Sequence, residues 1–216
     1  MIKVIVFDFD GVLVDSNVLK KGAFVELFSD NPRVQAVAVG VLNTFWQKTR
    51  LEALREIFRK LGEDEGNTAR LVNSYNERYN KIVIEKIANM GLIPGVLKAL
   101  EELSKKYILY VNSATPTEPL LRTAKVLGIE RFFKGICGVE GFAPILHSKK
   151  DNLEKIMKAE NAVGDDVLFV GDGDADLAAA EEYNCNFIGI ANQTNGWAGR
   201  GDIKTLLSVA EIPNMI

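Results

Sequence analysis

Val4-Ile5-Val6-Phe7-Asp8-Phe9-Asp10-Gly11-Val12-Leu13-Val14-Asp15-Ser16 opens with an apolar run and closes it on two carboxylates two positions apart. Four β-branched or aromatic residues in succession, without polar alternation, read as a strand covered on both faces of its sheet. On an extended chain, side chains two apart point to the same side, so Asp8 and Asp10 face one site at the end of that strand. Two like charges so close are costly unless a cation lies between them or one is protonated.

Runs of the same kind recur at Tyr107–Val111, Val167–Val170 and Phe187–Ile190, with the first reaching back to Ile2 and a weaker fifth at Gly135–Gly138. Helical stretches separate them. One is opened by Pro94 and carries Leu97, Leu100 and Leu103; another covers Leu120–Leu127 and stops at Gly128; a third is lined by Leu153, Ile156 and Met157. Strands alternating with helices mean βαβ units and a parallel sheet. The sequence therefore predicts an α/β fold with a Rossmann-like parallel core of five strands.

The first crossover breaks the rhythm. From Gly11 to Lys106 there are 96 residues, where a crossover helix needs about a dozen. Leu51, Leu54, Phe58 and Leu61 recur at helical spacing and form one apolar face. Phe24, Leu27 and Phe28 suggest an earlier helix, and Tyr75, Tyr79, Ile82 and Ile87 a later one. Residues 16–90 are accordingly expected to form an inserted helical cap, on a core made of residues 1–15 and 91–216.

The 216 residues are 47% hydrophobic and 25% charged, with a net charge of −3. That balance gives no electrostatic reason to expect nucleic acid or an anionic membrane. No apolar run approaches the roughly 20 residues of a membrane span, and the first strand begins too early for a leader segment. A cytoplasmic protein is expected. Cys137 and Cys185 stand in unrelated contexts, without the spacing of a metal site or disulfide framework, and read as small apolar residues.

Ligands of an open parallel sheet sit beyond the carboxyl ends of its strands, so the polar residues at those ends are informative. Val170-Gly171-Asp172-Gly173-Asp174-Ala175-Asp176 adds carboxylates to the rim begun by Asp8 and Asp10. A hard divalent cation such as Mg2+ suits oxygen ligands of this kind. Asn112-Ser113-Ala114-Thr115-Pro116 offers a hydroxyl and turn amides to an anion. His147-Ser148-Lys149-Lys150-Asp151-Asn152 leads into a helix and offers an ammonium. Paired carboxylates, a divalent ion, a hydroxyl and a lysine suit phosphoryl transfer, where positioning and charge neutralisation dominate.

With those stretches in order along the chain, the sequence resembles the haloacid dehalogenase superfamily. Val4–Ser16 resembles its first motif, Ser113 its second, Lys149 its third and Gly171–Asp176 its fourth. Val12 stands where many members have Thr. The resemblance implies an aspartyl-phosphate on Asp8 and general acid–base work by Asp10. It implies magnesium on the Asp8 carboxylate, the Asp10 backbone carbonyl and Asp172, with Asp176 in an outer shell. Ser113, Ala114 and Lys149 would hold the phosphoryl oxygens, with Lys150 as the alternative lysine. An acid at position 10 points to a phosphatase or mutase rather than a dehalogenase.

Within the superfamily the chain is most similar to the phosphoglycolate phosphatase and beta-phosphoglucomutase group. Mutases of that group use a cap His and a cap Lys, where this chain has Lys20 and Tyr75. Hydrolysis of a small phosphorylated metabolite is the main expectation and a phosphosugar mutase the alternative. A catalytically silent binding module is disfavoured by the intact acidic motifs. Thr49-Arg50-Leu51-Glu52-Ala53-Leu54 resembles the group's specificity segment, so Arg50 is either a substrate contact or a residue on a solvated helix face. Lys48 is a weaker candidate, His147 reads as a structural or surface residue, and Phe45 and Trp46 read as cap core. The oligomeric state is not legible in the sequence.

Overall fold

The computed structural model describes residues 1–43, 49–140 and 144–216. Its centre is a fully parallel sheet in the order β3-β2-β1-β4-β5-β6. The strands are β1 (Val4–Phe7), β2 (Ile108–Pro116), β3 (Gly135–Val139), β4 (Val167–Gly171), β5 (Asn186–Ile190) and β6 (Thr205–Leu206). Six strands replace the five expected. The sixth has only two residues and pairs Gly189 with Thr205 and Ile190 with Leu206. Two residues are too few to show any hydrophobic period.

β1 is buried on both faces, as its unbroken apolar run requires. Ile5 and Phe7 belong to one buried cluster, and Val4 and Val6 to a second on the opposite face, with Tyr110, Leu153, Ile156 and Phe169. Its register sets Phe7 beside Val111 of β2 and Val170 of β4. The chain moves from β1 outward to β2 and β3, then returns to place β4 against the other side of β1. The reversal falls between β1 and β4, where the crossovers diverge and leave a crevice at the strand ends.

The helices are α1 (Asn17–Glu26), α2 (Pro32–Leu42), α3 (Arg50–Lys60), α4 (Glu65–Met90), α5 (Val96–Leu103), α6 (Thr117–Val126), α7 (Ile145–Ala159) and α8 (Asp174–Glu182). The first four fill the long first crossover. α2 follows from local chemistry: the Asn31 side chain accepts from the Arg33 and Val34 amides, and Pro32 supplies a preset φ at the first turn. α5 begins after Gly95, at φ +84°, rather than at Pro94; a Cβ on Gly95 would meet Ala210 Cβ at 2.7 Å.

Aromatic packing fixes the inserted helices. Phe28 stacks on Tyr75 at 5.1 Å, and Phe58 and Phe24 meet the same group edge-on. The buried cluster is continuous from Ile5 and Phe7 through Phe9 and Leu13 to Phe24, Phe28 and Phe58, so α1–α4 rest on the strand ends. Among the described residues no helix is long and apolar enough to cross a membrane.

Candidate active site

The crevice between β1 and β4 holds the acidic residues. The Asp8 amide donates to the Val170 carbonyl at 2.8 Å, continuing the ladder one residue past β1, and the Asp8 carboxylate accepts from the Phe9 amide at 2.6 Å. Gly11 turns the chain away at φ +76°; a Cβ there would lie 2.0 Å from Asp172 Oδ2. Glycine at this position lets the loop after β1 close against the end of β4. Gly171 plays the same part for Asp176, whose Cβ would be 2.4 Å from an added methyl.

Asp8, Asp172 and Asp176 each bring one carboxylate oxygen within 4.8 Å of the others. Lys149 is buried against them, with Nζ 2.9 Å from Asp8 Oδ1 and in direct contact with Asp176. A reciprocal pair of hydrogen bonds fixes that lysine: Asn112 Nδ2 donates to the Lys149 carbonyl at 2.8 Å, and Lys149 Nζ donates to the Asn112 carbonyl at 2.9 Å. Lys149 lies inside α7, not ahead of it as the sequence suggests, because the helix begins at Ile145. Lys150, one position on, turns outward to Glu182 at 2.7 Å.

The electrostatics follow from burial. Removal from water pushes the Asp8 carboxyl up to about 7, against the pull of Lys149. Asp172 is pushed up to about 6, first by burial and then by Asp8, and burial raises Asp176 too. Burial opposes the Lys149 ammonium, but Asp176 and Asp8 outweigh it and hold its pKa above the usual value. Among the described residues Lys149 pairs with two of these three carboxylates, Asp8 and Asp176. An all-oxygen donor set with a deficit of positive charge fits a hard divalent ion.

Asp10 faces a different group of partners. Ser16 donates to its Oδ1, while Thr115 Oγ1 and Lys20 Nζ donate to Oδ2 at 2.8 and 2.6 Å. Burial would raise its pKa, but Lys20 and these hydrogen bonds prevail and lower it. Asp172 Oδ2 accepts from Asn17 and Asn192 at 2.9 and 2.6 Å.

A cavity of about 300 Å3 joins this rim to the inserted helices, lined by Asp8, Asp10 and Asp172 below and by Lys20, Arg50 and Tyr79 above. Arg50 owes its place to the capping box Thr49–Glu52, in which the Glu52 carboxylate accepts the Thr49 amide at 2.7 Å and starts α3 at Arg50. Its guanidinium lies 4.3 Å from the Tyr79 ring centroid, and Nε donates to Asn76 Oδ1 at 2.9 Å. Among the described residues Nη2 is buried with no hydrogen-bond partner.

The structure brings Asp8, Lys149, Asp172 and Asp176 together and sets Asp10 and Arg50 on the adjoining cavity. Ala114 lines the cavity, while Ser113 is buried, its hydroxyl accepting the Thr115 amide at 3.1 Å. His147 is exposed. Tyr75 packs among Phe28 and Phe58. Phe45, Trp46 and Lys48 lie outside the described residues. Sequence reasoning did not place Asn17, Tyr79 or Asn192 in the site; it met Lys20 only as the counterpart of a mutase His and Thr115 only as part of the stretch after β2. Asn192 had a usable signal, since it follows β5 at the same strand-end level as the recognised motifs.

The sequence profile described as haloacid dehalogenase-like hydrolase matches residues 5–190. The chain is 27% identical over 195 residues to a phosphoglycolate phosphatase of Pasteurella multocida, covering 87% of this chain and 85% of that one. It is 25% identical over 193 residues to the pyrophosphatase PpaX of Oceanobacillus iheyensis, covering 88% and 84%. The fold matches a crystal structure of CbbY from Rhodobacter sphaeroides in complex with phosphate, with TM-score 0.70, 21% identity and coverage of 98% and 96%.

Proposed function

This chain belongs to the haloacid dehalogenase-like hydrolase family, and from that membership we propose that it is a magnesium-dependent phosphohydrolase working through an aspartyl-phosphate on Asp8. The observation that carries the proposal is the grouping of Asp8, Asp172 and Asp176 around one buried lysine beside a cavity with room for a small phosphomonoester. The relatives named phosphatase and pyrophosphatase support the same class.

In this reading the Asp8 carboxylate attacks phosphorus, the phosphorus–oxygen bond to the leaving group breaks, and the phosphoryl group rests on Asp8. Lys149 keeps Asp8 aimed and balances charge on the phosphoryl oxygens. Ser113 and Ala114 meet those oxygens from the end of β2. Asp10, ionised in the resting site, takes up a proton from solvent as the substrate binds, gives it to a leaving alcohol, then takes the proton of the water that cleaves the aspartyl-phosphate. Asp8, Asp172 and the Asp10 carbonyl would hold magnesium, with Asp176 behind them. Magnesium would supply the positive charge that a dianionic phosphate needs to approach this rim.

Residues 16–90 act as a lid on the core of residues 1–15 and 91–216, excluding water and reading the leaving group. The buried Nη2 of Arg50, without a partner among the described residues, favours a leaving group with an anionic or polyhydroxylated part. The mutase alternative has little to work with, since the position of its lid lysine is Tyr75, packed in the lid's aromatic core. A cytoplasmic enzyme acting on a small metabolite is consistent with this site.

A screen of phosphorylated sugars, phosphoglycolate, nucleotides and inorganic pyrophosphate, with and without magnesium, tests the proposal. Magnesium-dependent phosphate release is expected, together with a trappable phospho-enzyme that is lost in Asp8→Asn. Normal turnover by Asp8→Asn would mean another group attacks.

A further inference from the structure

Lys20 is carried by α1, yet its ammonium belongs to the rim of the core. Nζ stands 2.6 Å from Asp10 Oδ2 and 2.6 Å from Thr115 Oγ1, and Thr115 Oγ1 is 2.8 Å from the same carboxylate oxygen. The three groups close a triangle at the edge of the cavity that Asp8 also lines. Its backbone is fixed as well: the Lys20 amide donates to the Ser16 carbonyl at 2.8 Å, and the Tyr79 hydroxyl donates to the Lys20 carbonyl at 3.3 Å. An ammonium has three protons to donate. Among the described residues two acceptors meet them, which leaves a third for the cavity.

Displacement at phosphorus runs in line, so the leaving oxygen departs on the side away from Asp8. In the phosphohydrolase reading, on which this inference rests, Asp10 serves that oxygen. A cation bound to Asp10 Oδ2 and lining the same cavity as Asp8 is placed to reach the departing oxygen too. We propose that Lys20 is a leaving-group residue of this enzyme, binding the departing oxygen and offsetting the negative charge it gathers.

The bond from Asp8 to phosphorus forms as the phosphorus–oxygen bond breaks, and the bonding pair stays on the leaving oxygen. An acidic leaving group departs as its anion beside the Lys20 ammonium and needs no proton. An alcohol takes its proton from Asp10. Lys20 therefore matters most where the leaving group holds the charge poorly, as in esters of weakly acidic hydroxyls, and least where the leaving group is itself strongly acidic.

The test is a series of substituted phenyl phosphates, from strongly to weakly acidic phenols, with magnesium present. kcat/KM is measured for the wild type, Lys20→Met and Lys20→Arg. Lys20→Met should lose roughly 10²-fold on the least acidic phenol and much less on the most acidic, steepening the dependence on leaving-group acidity. Lys20→Arg, which keeps the charge and the donors, should stay near the wild-type slope. Should Lys20→Met fail to fold by circular dichroism, Lys20→Gln takes its place. Equal losses across the series would assign Lys20 to lid placement alone and overturn the proposal, as would no loss. Failure of the wild type on every phosphate ester and anhydride would instead remove the hydrolase reading and this inference with it.

Discussion

Lys149 Nζ lies 2.9 Å from Asp8 Oδ1, with the two side chains only 2% and 10% exposed. An ion pair this deeply buried gives up most of its hydration, so removing one partner leaves an uncompensated charge. Lys149→Ala is expected to destabilise the metal-free protein by about 3–5 kcal/mol, read from urea denaturation. Activity should fall with it, since the nucleophile loses its aim. A stability loss under about 1 kcal/mol, the range of exposed pairs, would show that water screens this lysine.

Magnesium should bind the folded protein in preference to the unfolded chain, because the three carboxylates meet only when β1, β4 and α8 are in place. At a concentration 100 times its dissociation constant, the ion should add about 2.7 kcal/mol of stability, visible as a rise in Tm. EDTA should reverse the rise and abolish phosphate release together. Full turnover in chelator, with metal content shown to be nil, would remove the metal from the mechanism.

The raised pKa of Asp172 sets a direction for stability against pH. Its carboxyl titrates near 3.8 in the ordinary case and at about 6 here, so between those values the folded state holds more protons than the unfolded one. Stability contributed by this group therefore falls as pH rises through that window, and the cost is complete above about 6. In the metal-free protein, Asp172→Asn should raise Tm at pH 8 and leave it unchanged near pH 3.5. Asn17 and Asn192 can still donate to the new amide oxygen. A Tm gain of equal size at both pH values would trace the effect to packing rather than charge.

Arg50 separates recognition from chemistry. Arg50→Ala should depress kcat/KM strongly for the preferred substrate, by roughly 10²-fold for the loss of charged hydrogen bonds. It should spare p-nitrophenyl phosphate, which offers the lid little to bind. Equal losses on both substrates would assign Arg50 to lid folding through its contacts with Tyr79 and Asn76.

The acidic residues were legible in the sequence because strand ends are local features. An apolar run that stops on Asp8 or Asp172 names the strand, its end and the side chain facing the crevice, and the glycines beside them announce the turns. Lys149 was legible for a related reason, standing at a fixed offset from the helix face of Leu153 and Ile156. Other parts had no local signature. Lys20 and Thr115 are 95 positions apart and meet only because α1 folds back over the end of β2. Asp176 joins Asp8 and Asp172 because Gly171 leaves room for it, and Tyr75 is committed to stacking rather than catalysis by Phe28. Periodicity and strand ends mark which polar residues gather at the strand ends of the core. Packing across the long first crossover fixes which lid residues reach it, since contacts between distant segments depend on the shapes of the surfaces between them.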